Sequence, residues 1–214
     1  MNRDRQGLIY DPAVSPLNVA IVGLGNLGSH AAVALARLGA SSLELHDFDV
    51  IEEHNLSSQS YNVTDIGKRK TAAVREQIAA IDPSIPCSEL ARFASTTCPL
   101  IVCGVDSLEA RREIAELLIS LNWGGAILDG RMGGEQIELH SYLSPASWLA
   151  DIPASAPPDP CGGRFICYSS LGMAAIIASQ AKKWANREPF HSKIIYHYAT
   201  NEIFKGPLIE RGNI

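Results

Sequence analysis

The feature that most constrains this chain is a short apolar run, Asn18 to Val22, followed at once by Gly23-Leu24-Gly25-Asn26-Leu27-Gly28 and a helical pattern from His30 to Leu38. A strand that ends in G-x-G-x-x-G and opens a helix is the first unit of a nucleotide-binding α/β domain. Glycine lets the backbone approach phosphate there, and the helix N-terminus offers amide donors and the positive end of its dipole. Glycines that serve only close packing of helix on strand are the competing reading. A second strand, Ser42 to His46, favours the ligand, because it ends at Asp47, where a carboxylate suits ribose hydroxyls.

Downstream the two periodicities alternate. A polar stretch from Asp47 to about Asp65 reads as a functional loop. Thr71 to Ile81 carries Val74, Ile78 and Ile81 at helical spacing, and Asp82-Pro83 stops it. Strands follow at Cys87 to Leu90 and Leu100 to Cys103, then a helix from Leu108 to Leu121 and a strand from Ala126 to Asp129. Strand and helix in alternation imply a parallel sheet with right-handed crossovers. Glu135 to Leu143 alternates apolar and polar residues as an antiparallel, half-buried strand does. Five of the twelve prolines lie between Ser144 and Gly163, which reads as an irregular crossing loop. Cys167 to Trp184 is an apolar helix and Lys193 to Ala199 a last strand. The expected fold is a doubly wound, Rossmann-like, mainly parallel sheet with antiparallel additions, in a single domain over residues 1–214.

Composition narrows the function classes. Eighteen Lys and Arg stand against 23 Asp and Glu, with no basic run to follow a phosphate backbone, so nucleic acid is not an expected partner. The N-terminus is polar and interrupted by proline, and the longest apolar run, around Leu171 to Ala178, is far shorter than a membrane span. A cytoplasmic protein with no membrane association is expected. The five cysteines show no C-x-x-C pair and the six histidines no metal spacing, so reduced thiols and no zinc are expected.

The glycine loop and Asp47 alone leave NAD and ATP both open, since each presents ribose and phosphates to the same turn. The next sixty residues are more specific. DFDVIEEHNLSSQ (47–59) followed by DIGKRKTAAVREQIAAIDP (65–83) resembles the ThiF/MoeB/HesA family, the bacterial relatives of ubiquitin-activating enzymes. In that family an acidic strand end leads to an Asn-Leu-x-Arg-Gln loop and a Gly-x-x-Lys helix start. GVDSLEARR (104–112) is similar to its Asp-Asn-x-x-x-Arg segment, and Arg5-Gln6 to its N-terminal Arg-Gln pair. The resemblance runs from Arg5 to Trp184.

The resemblance implies ATP and magnesium as cofactors, with Gly23, Gly25, Asn26, Leu27 and Gly28 forming the phosphate loop. It implies that Asp47 holds ribose, that Asn55 and Lys70 contact phosphates within a site that includes Gln59, and that Asp106 binds magnesium. Arg5 would reach the nucleotide of the neighbouring subunit in a homodimer. The implied activity is adenylation: the C-terminal carboxylate of a small ubiquitin-like or sulfur-carrier protein attacks the α-phosphate of ATP. Two positions depart from the family pattern: Ser58 stands where the loop arginine is expected, and Ser107 where an asparagine is. They open a second reading, a nucleotide-binding module with weakened catalysis that acts through partners. An NAD-dependent oxidoreductase is a third, in which Lys70 and Asp106 have no evident task.

Plainer roles compete at several positions. Lys68, Arg69 and Lys70 suit a solvated helix start, and Asp106 suits the cap of the following helix. Arg131-Met-Gly-Gly reads as a hairpin device. Cys161, in DPCGGRFICYSS (159–170), resembles the family's cysteine-bearing loop, in which some members carry the activated chain as a covalent adduct. A helix N-terminus and Arg164 nearby would favour its thiolate. Cys167, inside the apolar helix, is expected to be buried.

Overall fold

The computed structural model describes residues 2–155 and 165–210. Five strands, β1 (Asn18–Val22), β2 (Ser42–His46), β3 (Cys87–Leu90), β4 (Leu100–Cys103) and β5 (Ala126–Gly133), pair in parallel in the order β3-β2-β1-β4-β5. The sheet then turns antiparallel through β6 (Gln136–Tyr142), β8 (Lys193–His197) and β9 (Glu202–Lys205). β7 (Phe190–His191) and β10 (Leu208–Ile209) form a separate two-stranded pair. Beyond the strand from Lys193, the extreme C-terminal strands β9 and β10 were not expected from sequence. β9 is exposed along its length, so it lacks the buried-face pattern that marks a strand.

Helices α1 (Gly28–Leu38), α2 (Lys70–Ile81) and α5 (Cys167–Ala185) cover one face of the sheet, and α3 (Leu108–Ser120) and α4 (Pro145–Asp151) cover the other. Covered on both faces, the central strands read as unbroken apolar runs: every residue of β4 is buried, as are Val19 to Val22 of β1. α1 ends where the chain turns left-handed at Gly39, φ 104°, a conformation glycine adopts without a Cβ penalty.

Two expectations need correction. The stretch from Ser144 to Gly163 is not irregular throughout, because α4 opens it. Ser144 Oγ accepts from Ser147 N at 3.2 Å, and Pro145, which reads as a breaker, occupies the first turn, where its missing N–H costs nothing. Cys167 is exposed rather than buried: it is the first residue of α5, and the buried face begins at Ser169. Among the described residues, no helix is long and apolar enough to cross a membrane.

The chain order reverses between β1 and β4, which lie side by side but are reached by leaving the sheet's middle in opposite directions. Such a switch point opens a crevice at the carboxyl ends of the strands. The Gly104 amide bonds the Val22 carbonyl at 2.8 Å, drawing the two strand ends together.

Candidate functional site

The glycines at this crevice have separate tasks. Gly23 has φ +87°, and a Cβ on it would lie 2.9 Å from the backbone of Gly104. On Gly28 a Cβ would come 1.8 Å from the Gly23 carbonyl oxygen, so only glycine lets α1 start this close to β1. At Gly25 a Cβ would meet nothing within 4 Å. Two glycines are therefore demanded by packing, while the third faces open space. α1 begins two residues earlier than its apolar pattern suggests, with neither a side-chain cap nor an acidic residue in its first turn. Ser29 N already bonds the Gly25 carbonyl at 3.1 Å, and the uncapped start turns the positive end of the helix dipole toward any anion placed there.

The polar loop after β2 folds back onto this turn. Tyr61, buried, donates its hydroxyl hydrogen to the Leu24 carbonyl at 2.6 Å. Burial, with the charge of Asp47 second, pushes this hydroxyl far above its ordinary pKa, so it stays a donor at any working pH. Ser60 N donates to Ser29 Oγ at 3.0 Å, and Ser29 Oγ donates to the Gly25 carbonyl at 2.7 Å. Ser58, only 8% exposed, donates to Asn26 Oδ1 at 2.7 Å. The position that lacks the family's arginine thus holds a hydroxyl that ties the two loops together.

Asp47 lies half-buried beside the turn, its Oδ2 accepting from Leu24 N at 2.7 Å and its Oδ1 from Asp49 N at 2.8 Å. Lys70, whose side chain is 8% exposed, meets Asp49 Oδ2 at 2.8 Å. It is the first residue of α2 and is not a solvated helix start. Lys68 is that instead, paired with Asp65 at 3.1 Å and Glu76 at 2.8 Å, while Arg69 is exposed. Asn55 is buried and its Oδ1 accepts from Glu52 N at 2.9 Å, closing its own short turn. Gln59 is half-buried, with a side-chain oxygen that has no hydrogen-bond partner among the described residues.

Asp106 follows β4, across the crevice from the turn. It does not cap α3: Ser107 does, accepting from Ala110 N at 3.2 Å. The Asp106 side chain is exposed and makes no hydrogen bond among the described residues, so its carboxylate is available to a hard cation. No group of three or more potential metal ligands occurs among the described residues. Magnesium takes one or two carboxylates and completes its shell with phosphate and water.

Arg5 is not brought to this site within one chain. The N-terminal arm packs at the opposite end of α1, where Gln6 Nε2 donates to the Leu38 carbonyl at 2.7 Å and Arg3 pairs with Asp82 at 2.8 Å. Arg5 itself is exposed there. Cys161 and Arg164 lie outside the described residues.

Sequence reasoning missed an assembly beside the crevice. Asp129, fully buried in β5, accepts from Arg111 Nε at 2.9 Å, Arg131 Nε at 3.0 Å and Trp148 Nε1 at 3.1 Å. Arg111 also donates to the Gly130 carbonyl at 3.1 Å, and its Nη1 lies 3.5 Å from the Asp106 carbonyl. The hairpin turn lies beyond Arg131, which belongs to β5 and serves Asp129. Arg111 closes the Asp-x-x-x-x-Arg spacing that was read only as resemblance. A carboxylate ending a buried strand was the other available signal.

Residues 13–123 match the model of the ThiF family. Ubiquitin-like modifier-activating enzyme 5 of Dictyostelium discoideum is 41% identical over 69 residues, which is 32% of this chain and 18% of that protein. The probable adenylyltransferase/sulfurtransferase MoeZ of Mycobacterium tuberculosis is 38% identical over 68 residues, 31% of this chain and 17% of its own length. Each match therefore spans less than a fifth of the relative. Among solved structures, E. coli MccB with ATP is similar in fold, with a TM-score of 0.73 and 18% identity, covering 94% of this chain and 66% of MccB.

Proposed function

Because the chain belongs to the ThiF family, we propose that it is an ATP-dependent adenylyltransferase that activates the C-terminal carboxylate of a small ubiquitin-like or sulfur-carrier protein. The observation that carries this reading is the division of labour in the crevice: Gly25 faces open space, α1 starts uncapped, and Asp106 keeps a carboxylate unbonded among the described residues. MoeZ is named an adenylyltransferase/sulfurtransferase, and MccB has been solved with ATP, which supports the same assignment.

In this reading the phosphates lie over Gly25 and the N-terminus of α1, with the ribose against Asp47. Lys70 brings positive charge held in place by Asp49, and Gln59 faces the same loop. Asn55 acts on the phosphates through the turn it closes. Asp106 would hold magnesium, which supplies charge neutralisation for the triphosphate. A carboxylate oxygen of the carrier forms a bond to the α-phosphorus while the α–β bridging oxygen leaves with pyrophosphate. The attacking carboxylate is ionised near neutral pH, so the chain need only position groups and balance charge. Arg5, exposed on an arm remote from its own site, would complete the site of a second copy in a homodimer. Cys161 is the proposed acceptor of the activated carrier.

Incorporation of labelled pyrophosphate into ATP, dependent on a carrier ending in Gly-Gly, tests the reading. ATP binding without exchange would favour instead a binding module with weakened catalysis, a reading supported by the missing arginine at Ser58.

A further inference from the structure

β2 and β3 end level with one another, His46 opposite Leu90, and the pairing continues one step as the Asp47 amide bonds the Leu90 carbonyl at 3.0 Å. Beyond that point the residues divide between two sides. His46 and Phe93 turn inward and meet edge to face at 5.1 Å. Phe48 and Arg92 stand at the rim, with the Arg92 guanidinium 5.0 Å from the centre of the Phe48 ring.

Neither rim residue serves the core. Phe48 is 61% exposed, and the Arg92 side chain makes no ion pair or hydrogen bond among the described residues. A guanidinium laid over an aromatic face is flat, cationic and partly ordered, so little freedom is lost when a second ring stacks on it. Its place relative to the proposed ATP site, on which this inference rests, gives it a ligand. Phosphates belong at the β1 turn and ribose at Asp47 after β2, so the base of the same nucleotide points onward toward the end of β3. Phe48 is the residue after Asp47.

We propose that Arg92, braced on Phe48, is the surface on which the purine ring of the bound nucleotide stacks. Arginine planes and aromatic rings accept bases through their π faces, which gives affinity without discrimination by hydrogen bonds. Arg92 is thus a binding residue for the base and not for the phosphates.

Calorimetric titration of the whole chain with magnesium ATP and with magnesium tripolyphosphate, which has no base, separates these roles. Arg92→Ala should weaken ATP about tenfold, the effect of losing one stacking partner, and leave tripolyphosphate within about twofold. Arg92→Lys, which keeps the charge and loses the plane, should not restore ATP affinity. An equal loss for both ligands would make Arg92 a charge for the phosphates and overturn the proposal, as would unchanged ATP affinity. Failure of the unsubstituted protein to bind ATP would overturn the underlying assignment, an outcome distinct from failure at Arg92 alone.

Discussion

Asp47 directly follows β2 and Asp129 lies in β5 opposite Cys103, the last residue of β4, both toward the carboxyl edge of the parallel strands, yet the polar groups around them are used differently. Around Asp129, two arginines and an indole converge on one carboxylate, and further arginine donors reach the Gly130 and Asp106 carbonyls and Tyr142. Around Asp47 the bonds are to backbone amides, Gly25 opens onto space, Asp106 has no side-chain partner among the described residues, and Lys70 is tied to a carboxylate that is itself half exposed. The first region has used its bonding capacity on itself and fixes β5 against α3 and α4. The second has kept capacity in reserve, as a binding site must.

The largest effect should come from breaking the saturated region. Asp129→Ala leaves the buried Arg111 and the half-buried Arg131 without their carboxylate, and loss of one partner of a buried pair costs about 3–5 kcal/mol. Urea unfolding should report that loss; a change under about 1 kcal/mol would mean the cluster is better solvated than its burial indicates.

Asp106→Ala should do the reverse. With an exposed side chain and no partner among the described residues, its removal should move unfolding free energy by no more than about 0.5 kcal/mol. Carrier-dependent pyrophosphate exchange should fall about a hundredfold, comparable to the loss of one electrostatic contact in a transition state. Equal damage to stability and exchange would erase the distinction between the two regions.

What could be read from sequence follows the same division. The positions of the glycine turn and Asp47 were legible from their offsets to strand ends, and that of Lys70 from the resemblance at its helix start. The Asp129 assembly was not, because its four members come from α3, β5 and α4, and no local spacing unites them. Ser58 read as a loss when compared with a motif. Its gain, the bond to Asn26 32 residues earlier, exists only in the fold. The edge strand β9 escaped for a related reason: no residue of it is buried, so its alternation carries no hydrophobic signal.

Smaller effects sharpen these points. Ser58→Ala removes one hydrogen bond between the phosphate turn and the loop, worth about 1 kcal/mol, and should weaken ATP binding about fivefold as the turn loosens. Unchanged affinity would show that Tyr61 and Ser29 suffice to hold it. On the far side of the saturated region, the hydrogen bond with His140 holds the Glu138 carboxyl down to about 2. A carboxyl depressed in the folded state adds stability that is complete above its unfolded value, about 4.3, and is lost as pH falls toward 2. Glu138→Gln should therefore flatten the fall in thermal stability between about pH 5 and 2; a curve unchanged in that window would assign the acid sensitivity to other carboxylates.

The contrast between the two regions is tested most directly by hydrogen exchange, read by mass spectrometry with and without saturating magnesium ATP. Protection should rise in residues 23–30, 47–70 and 104–107, where bonding capacity is held in reserve, and stay unchanged in 129–151, where it is already used. Protection concentrated in 129–151, with the glycine turn unaffected, would contradict the account.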